Sequence, residues 1–74
     1  MKKSIDQIGK LLADTYSKAP KKEKVTAIIV FSIKHSEDIQ RLGIKEILQN
    51  AKLPIGYRPE VSKAIRLSKY VTVK

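Results

Sequence analysis

Apolar side chains recur at three- and four-residue intervals in three separate stretches of this 74-residue chain, and glycine or proline punctuates the gaps between them. The one β-branched-rich stretch, Val25 to Ile33, finds no second segment that could pair with it as a strand, and one strand does not make a sheet. Together these observations predict an all-α protein: a small four-helix domain occupying residues 1–74, with no room for a second core.

The first helix should begin at Ile5. Ser4-Ile5-Asp6-Gln7 fits the capping box, in which the serine oxygen takes an orphan amide and the glutamine reaches back. Ile5, Ile8, Leu12 and Tyr16 then form a stripe with Leu11 beside it, and Asp6 suits the positive end of the helix dipole. The stripe should end at Lys18, because Pro20 biases Ala19 out of the helical region. Pro20 can open a central helix over residues 21–36, apolar over most of its circumference because neighbours cover it on several sides. His35 to Asp38 reads as its exit or a loosened last turn. Gly43 interrupts the pattern, and Ile44, Ile47, Leu48 and Ala51 restart it for a short third helix. Leu53-Pro54-Ile55-Gly56 is turn chemistry, with proline fixing one φ and Gly56 free to take a positive one. A fourth helix should run from Pro59 to about Lys69. The tail from Tyr70 to Lys74 could be a last helical turn or an extended arm.

Composition narrows the function. Sixteen lysines and arginines against seven acids give a formal net charge of +9, so polyanions are the natural partners. Without cysteine there is no disulfide framework, thiolate metal site or cysteine nucleophile. The longest apolar run, Ala27 to Phe31, is far shorter than the roughly 20 residues that span a bilayer. Met1-Lys2-Lys3 begins like a signal peptide, but Ser4, Asp6 and Gln7 stand where its apolar region should run. The expectation is a soluble, cytoplasmic protein without a membrane partner.

Catalysis lacks materials. A metal site needs three or four clustered ligands, and His35 is the only histidine. The same residue is the only ordinary base for a serine or threonine nucleophile, and it reads as structural or superficial. Glu37 and Asp38 are adjacent, so on a helix they point about 100° apart and make a poor carboxylate pair. The three glycines lie too far apart for a phosphate loop. No enzyme, cofactor or metal is expected.

The fourth helix is more informative. At 100° per residue, Tyr57, Val61, Ala64, Ile65 and Ser68 gather on a core face with Leu67 and Val71 on its shoulder. Arg58, Ser62, Lys63, Arg66, Lys69 and Tyr70 share the opposite arc, and the segment's only acid, Glu60, projects elsewhere. Arginine forks fit guanine edges and lysines fit phosphates, so an arc of cations with a hydroxyl, a phenol and no carboxylate suits a major-groove reader. The same arc would also serve as the solvated face of an ordinary basic helix.

A short helix, a turn and a second amphipathic helix with a basic outer arc follow the helix-turn-helix plan, although the link from Ala51 to Pro59 exceeds the usual three or four residues. The stretch GIKEILQNAKLPIGYRPEVSKAIRLSKYV, Gly43 to Val71, resembles the C-terminal half of small, uncharacterised bacterial proteins described as helix-turn-helix-like. The resemblance extends to EKVTAIIVFSIKHSEDI and so reaches roughly two thirds of the chain. It implies the helical fold and brings no ligand with it.

A second cluster, Lys18, Lys21, Lys22 and Lys24 around Pro20, could touch backbone phosphates beside the groove or could simply solubilise a loop. The expected partner is duplex DNA, bound by a helix-turn-helix-like C-terminal half and consistent with a small regulator. One reading helix binds weakly, which implies a homodimer or a protein partner. The alternative is an interaction module that sets its basic helical surface on an acidic protein.

Overall fold

A computed structural model describes residues 3–73. Among them lie five α-helices and no strand: α1 (Ile5–Lys18), α2 (Lys24–Lys34), α3 (Ser36–Leu42), α4 (Ile44–Asn50) and α5 (Arg58–Leu67). Short 3-10 turns at Lys21–Glu23 and Ile55–Tyr57 precede α2 and α5. The all-helical expectation holds, with one helix more than the four predicted.

The boundaries of α1 follow from its caps. Ser4 Oγ accepts from the Gln7 amide at 3.2 Å, and Gln7 Oε1 accepts from the Ser4 amide at 2.8 Å, completing the capping box. At the other end Ala19 is extended (φ −73°, ψ 141°), as the residue before a proline must be. The last carbonyls find a side-chain donor, because Lys24 Nζ donates to the Tyr16 and Ala19 carbonyls at 2.7 and 3.1 Å.

The single central helix expected over residues 21–36 is divided. Residues 21–23 form the 3-10 turn, because Pro20 is itself extended (φ −59°, ψ 151°) and lies outside the helix rather than at its first position. At His35 (φ −113°, ψ 27°) the backbone leaves helical geometry: its amide closes α2 on the Phe31 carbonyl, and its own carbonyl opens α3 by accepting from Ile39. Residues 36–38, expected as a frayed exit, are therefore the first turn of α3. Glu37 and Asp38 suit that end and Arg41 suits the other, joined by an Arg41–Asp38 ion pair of 3.1 Å.

Gly43 joins α3 to α4 at φ +101°, a value that L-side chains rarely adopt. Its amide ends α3 on Ile39, and its carbonyl starts α4 by accepting from Ile47. The second left-handed residue is Lys52 (φ 60°), not Gly56, which sits inside the right-handed 3-10 turn. Lys52 closes α4 in a Schellman motif, with the Lys52 amide on Gln49 and the Leu53 amide on Leu48. The chain thus reverses at Lys52, and Pro54 then feeds α5, which starts at Arg58 and ends at Leu67. Beyond it a turn reaches Tyr70, whose amide bonds the Leu67 carbonyl at 2.9 Å, and Val71 to Val73 carry no regular structure.

Helix α2 packs between α1 and α5, and α4 bridges α1 and α5 beneath it. Ile8, Leu12, Ile28, Phe31, Ile39, Ile47, Leu48 and Val61 meet in one core. The cover over α2 is incomplete, contrary to expectation: Val25 and Val30 remain 44% and 42% exposed. Where α4 ends against α1, a Cβ at Gly9 would lie 2.0 Å from Asn50 Oδ1, so any larger residue there would have to displace the Asn50 side chain. Asn50 Nδ2 fixes the crossing by donating to Asp6 at 2.9 Å.

Candidate nucleic-acid interface

The α4–turn–α5 unit is fastened to the rest of the domain at the start of α5. Tyr57 and Tyr16 share a hydrogen bond between their hydroxyls at 2.9 Å, with ring centroids 5.6 Å apart and an edge-on tilt of 65°. The Lys24 ammonium lies 4.5 Å from the Tyr16 ring centroid, a cation–π contact added to its two carbonyl bonds. Hydrogen bonding to Tyr16 is the main cause that pushes the Tyr57 phenol above its ordinary pKa. The Tyr57 phenol is therefore neutral at physiological pH, and the tyrosine pair holds α5 by packing and hydrogen bonding.

From that anchor the helix turns Val61 and Ala64 into the core, with Tyr57, Ile65 and Ser68 half-buried on the same side. Ser68 donates its hydroxyl to the Ile65 carbonyl. Leu67 and Val71, expected on the shoulder of this face, are partly exposed. The opposite arc is open to solvent: Arg58, Lys63 and Arg66 are exposed and Ser62 is half-buried, whereas Lys69 and Tyr70, expected on the same helical arc, are exposed in the turn beyond Leu67, where α5 has already ended. The Arg41–Asp38 pair is the only salt bridge among the described residues, so no carboxylate neutralises any cation of this arc. Glu60 faces the other flank, where one carboxylate oxygen is shielded and has no hydrogen-bond partner among the described residues. Ser62, Ile65 and Arg66 also border a shallow depression shared with Gln40 and Gly43, so this part of the arc sits beside the α3–α4 junction.

Of the second basic cluster, Lys18, Lys21 and Lys22 are exposed, whereas the Lys24 ammonium is occupied by α1 and Tyr16. Contacts run from Lys24 through Tyr16 to Tyr57, the residue before α5, and so tie the segment that carries this cluster to the start of that helix. Sequence reasoning placed Tyr16 and Tyr57 on apolar faces, but gave no sign that they join each other. It also passed over Ile55 and Lys52, both exposed in the turn that leads into the arc.

A family model described as an HTH-like domain matches residues 4–74. The chain belongs to this HTH-like domain family. No curated protein and no solved structure matches it significantly. The match reaches well beyond the C-terminal stretch that carried the resemblance, so α1 and α2 are as much part of the HTH-like domain as α4 and α5.

Within this HTH-like domain, α4 and α5 are separated by residues 51–57, a longer link than a three- or four-residue turn. The Schellman closure at Lys52 and the 3-10 turn at Ile55–Tyr57 give that link a defined path, as does the Tyr16–Tyr57 bond. His35 stacks on Phe31 with ring centroids 4.5 Å apart. Burial, then the charges of Lys3 and Lys34, lower its pKa below 6.5, against a smaller opposing effect of Asp38. Among the described residues no group of three or more His, Cys, Asp or Glu side chains could hold a metal ion, and no helix is long and apolar enough to cross a membrane.

Proposed function

We propose that this HTH-like domain binds duplex DNA by setting the outer arc of α5 in the major groove. The observation that carries this reading is the arc itself: four exposed cations, Arg58, Lys63 and Arg66 on the second helix of the motif and Lys69 in the turn after it, with no salt bridge to any of them among the described residues. Arg58 and Arg66 supply planar forks for base edges or phosphates, and Lys63 and Lys69 supply point charges for the backbone. Ser62 and Tyr70 add short-range hydrogen-bonding groups on the same arc. In this reading the exposed Lys18, Lys21 and Lys22 add phosphate contacts beside the groove. Lys24 supports the interface by holding Tyr16, which in turn holds Tyr57 and the first turn of α5.

Titration of the ¹⁵N-labelled chain with a mixed-sequence duplex tests this directly. Amide shifts should concentrate between Arg58 and Tyr70, with a second, weaker set at residues 18–22. Shifts spread evenly over every lysine would reduce the interaction to general polyanion attraction. Absence of binding at low salt would favour the alternative, a basic helical surface that docks on an acidic protein.

A further inference from the structure

The incomplete cover over α2 opens a groove of about 480 Å³ between α1 and α2, on the side of α2 turned away from Ile29 and Ile33. Its floor and walls are apolar: Leu11 from α1, Ala27, Val30 and Phe31 from α2, and Val73 from the tail that folds back to its edge. Leu11, Val30 and Val73 keep 38%, 42% and 38% of their surface exposed. No residue of α5 lines this groove.

Its margins and the adjoining recess carry more lysines than carboxylates. Lys34 closes one end beside His35. Lys3 acts on His35 from the same end, and Lys3 and Lys10 border an adjoining recess that shares Leu11 with the groove. Glu23 at the other end and Asp14 in the recess are the carboxylates nearby, and Lys21 and Lys22 precede Glu23 in the chain.

We propose that this groove is a protein-docking site for a single amphipathic helix, apolar along one face and acidic along its flanks, contributed by a different protein. Charge complementarity favours an acidic occupant, and it disfavours a second copy carrying the same charge of +9. Among the described residues the most acidic short helix, α3, already buries its Ile39 in the core, where it is 1% exposed. Area argues the same way. A stable interface takes about 800 Å² from each partner, whereas the three partly exposed side chains, from α1, α2 and the tail, offer only a narrow strip. From Glu23 to His35 that strip is about 18 Å long, the length of roughly three helical turns. Apolar anchors at i, i+3 or i+4 and i+7 would meet Val30, Leu11 and Ala27 in turn. The groove and the α5 arc share no residues, and the inference does not depend on the DNA reading.

The test uses the full ¹⁵N-labelled chain and three synthetic helical peptides of about 14 residues. One carries leucine anchors with glutamate flanks, one has lysine in place of the glutamates, and one has alanine in place of the leucines. The expected result is saturable shifts at Leu11, Ala27 and Val30 with the first peptide alone, and none on the α5 arc. Val30→Asp and, separately, Lys34→Glu should each weaken this binding at least about tenfold. Both positions are exposed, so the variants should keep the dispersed spectrum of the folded chain. Equal binding by the alanine peptide, shifts centred on α5, or no saturable shift would overturn the proposal. Groove shifts that grow with protein concentration in the absence of peptide would also overturn it, by making a second copy the occupant.

Discussion

At the scale of single residues, the consequences of burial are the most direct to measure. Ile47 is 2% exposed at the junction of α1, α3 and α4. Ile47→Ala should cost about 2–5 kcal/mol through lost transfer energy and the cavity left behind. A core of this size rarely supplies more than about 3–5 kcal/mol in total, so the variant should be largely unfolded in a urea titration. Ile65 is only half-buried at the edge of the core, and Ile65→Ala should fall at or below the lower end of the same range. Equal losses at the two positions would contradict the placement of α5. His35 gives a prediction in pH. Its folded pKa lies below 6.5, so in the window beneath 6.5 the unfolded chain binds more protons than the folded one. Stability is therefore fully present above 6.5, falls as pH drops through that window, and stops falling once the folded histidine also protonates. Denaturation midpoints of the native chain and of His35→Gln, compared at about pH 7.5 and about pH 5.5, should show a smaller decline in the variant. An identical decline would assign the pH dependence to other groups.

At the scale of elements, the joints between helices hold most of what can be improved or broken. Lys52 stands left-handed at φ 60° in the Schellman motif that ends α4, a position glycine occupies without strain. Lys52→Gly should raise stability by about 0.5–1 kcal/mol, and any loss would mean that the lysine side chain contributes more than its backbone costs. These joints also separate what the sequence made legible from what it hid. The ends of α1 were readable because Ser4, Gln7 and Pro20 act locally, through hydrogen bonds and sterics within a few residues. Gly43 was readable for the same reason. Helix α3 was not, because its seven residues offer only Ile39 and Leu42 as apolar positions, too few to establish a period. Nor was the exchange of roles between Gly56 and Lys52, since tertiary packing of Leu53 and Tyr57 against the core decides where the chain reverses. For the candidate site, helical geometry placed Arg58, Ser62, Lys63 and Arg66 on one arc, and the exposure of the three cations agrees with it, but Lys69 and Tyr70 lie past the end of α5 at Leu67. The Tyr16–Tyr57 bond links positions 41 residues apart, and no local pattern encodes it.

At the scale of the whole molecule, a 29 × 26 × 21 Å domain with a charge of +9 will attract any polyanion, so affinity for DNA alone says little about where the DNA sits. The dependence on salt is more discriminating. If the α5 arc neutralises about three to five phosphates, log affinity should fall against log salt with a slope of about −3 to −4. Lys63→Ala should flatten that slope by about one unit, as expected for the loss of one phosphate contact. The most direct measurement compares Arg66→Ala with Lys10→Ala, a change of equal charge on the outer face of α1, by fluorescence anisotropy on one duplex at two salt concentrations. Arg66→Ala should lose about 1–3 kcal/mol of binding and, if its guanidinium reads a base, discriminate less between duplex sequences, while Lys10→Ala should change little. Equal losses in the two variants would contradict recognition through α5 and leave only the attraction of a basic protein for a polyanion.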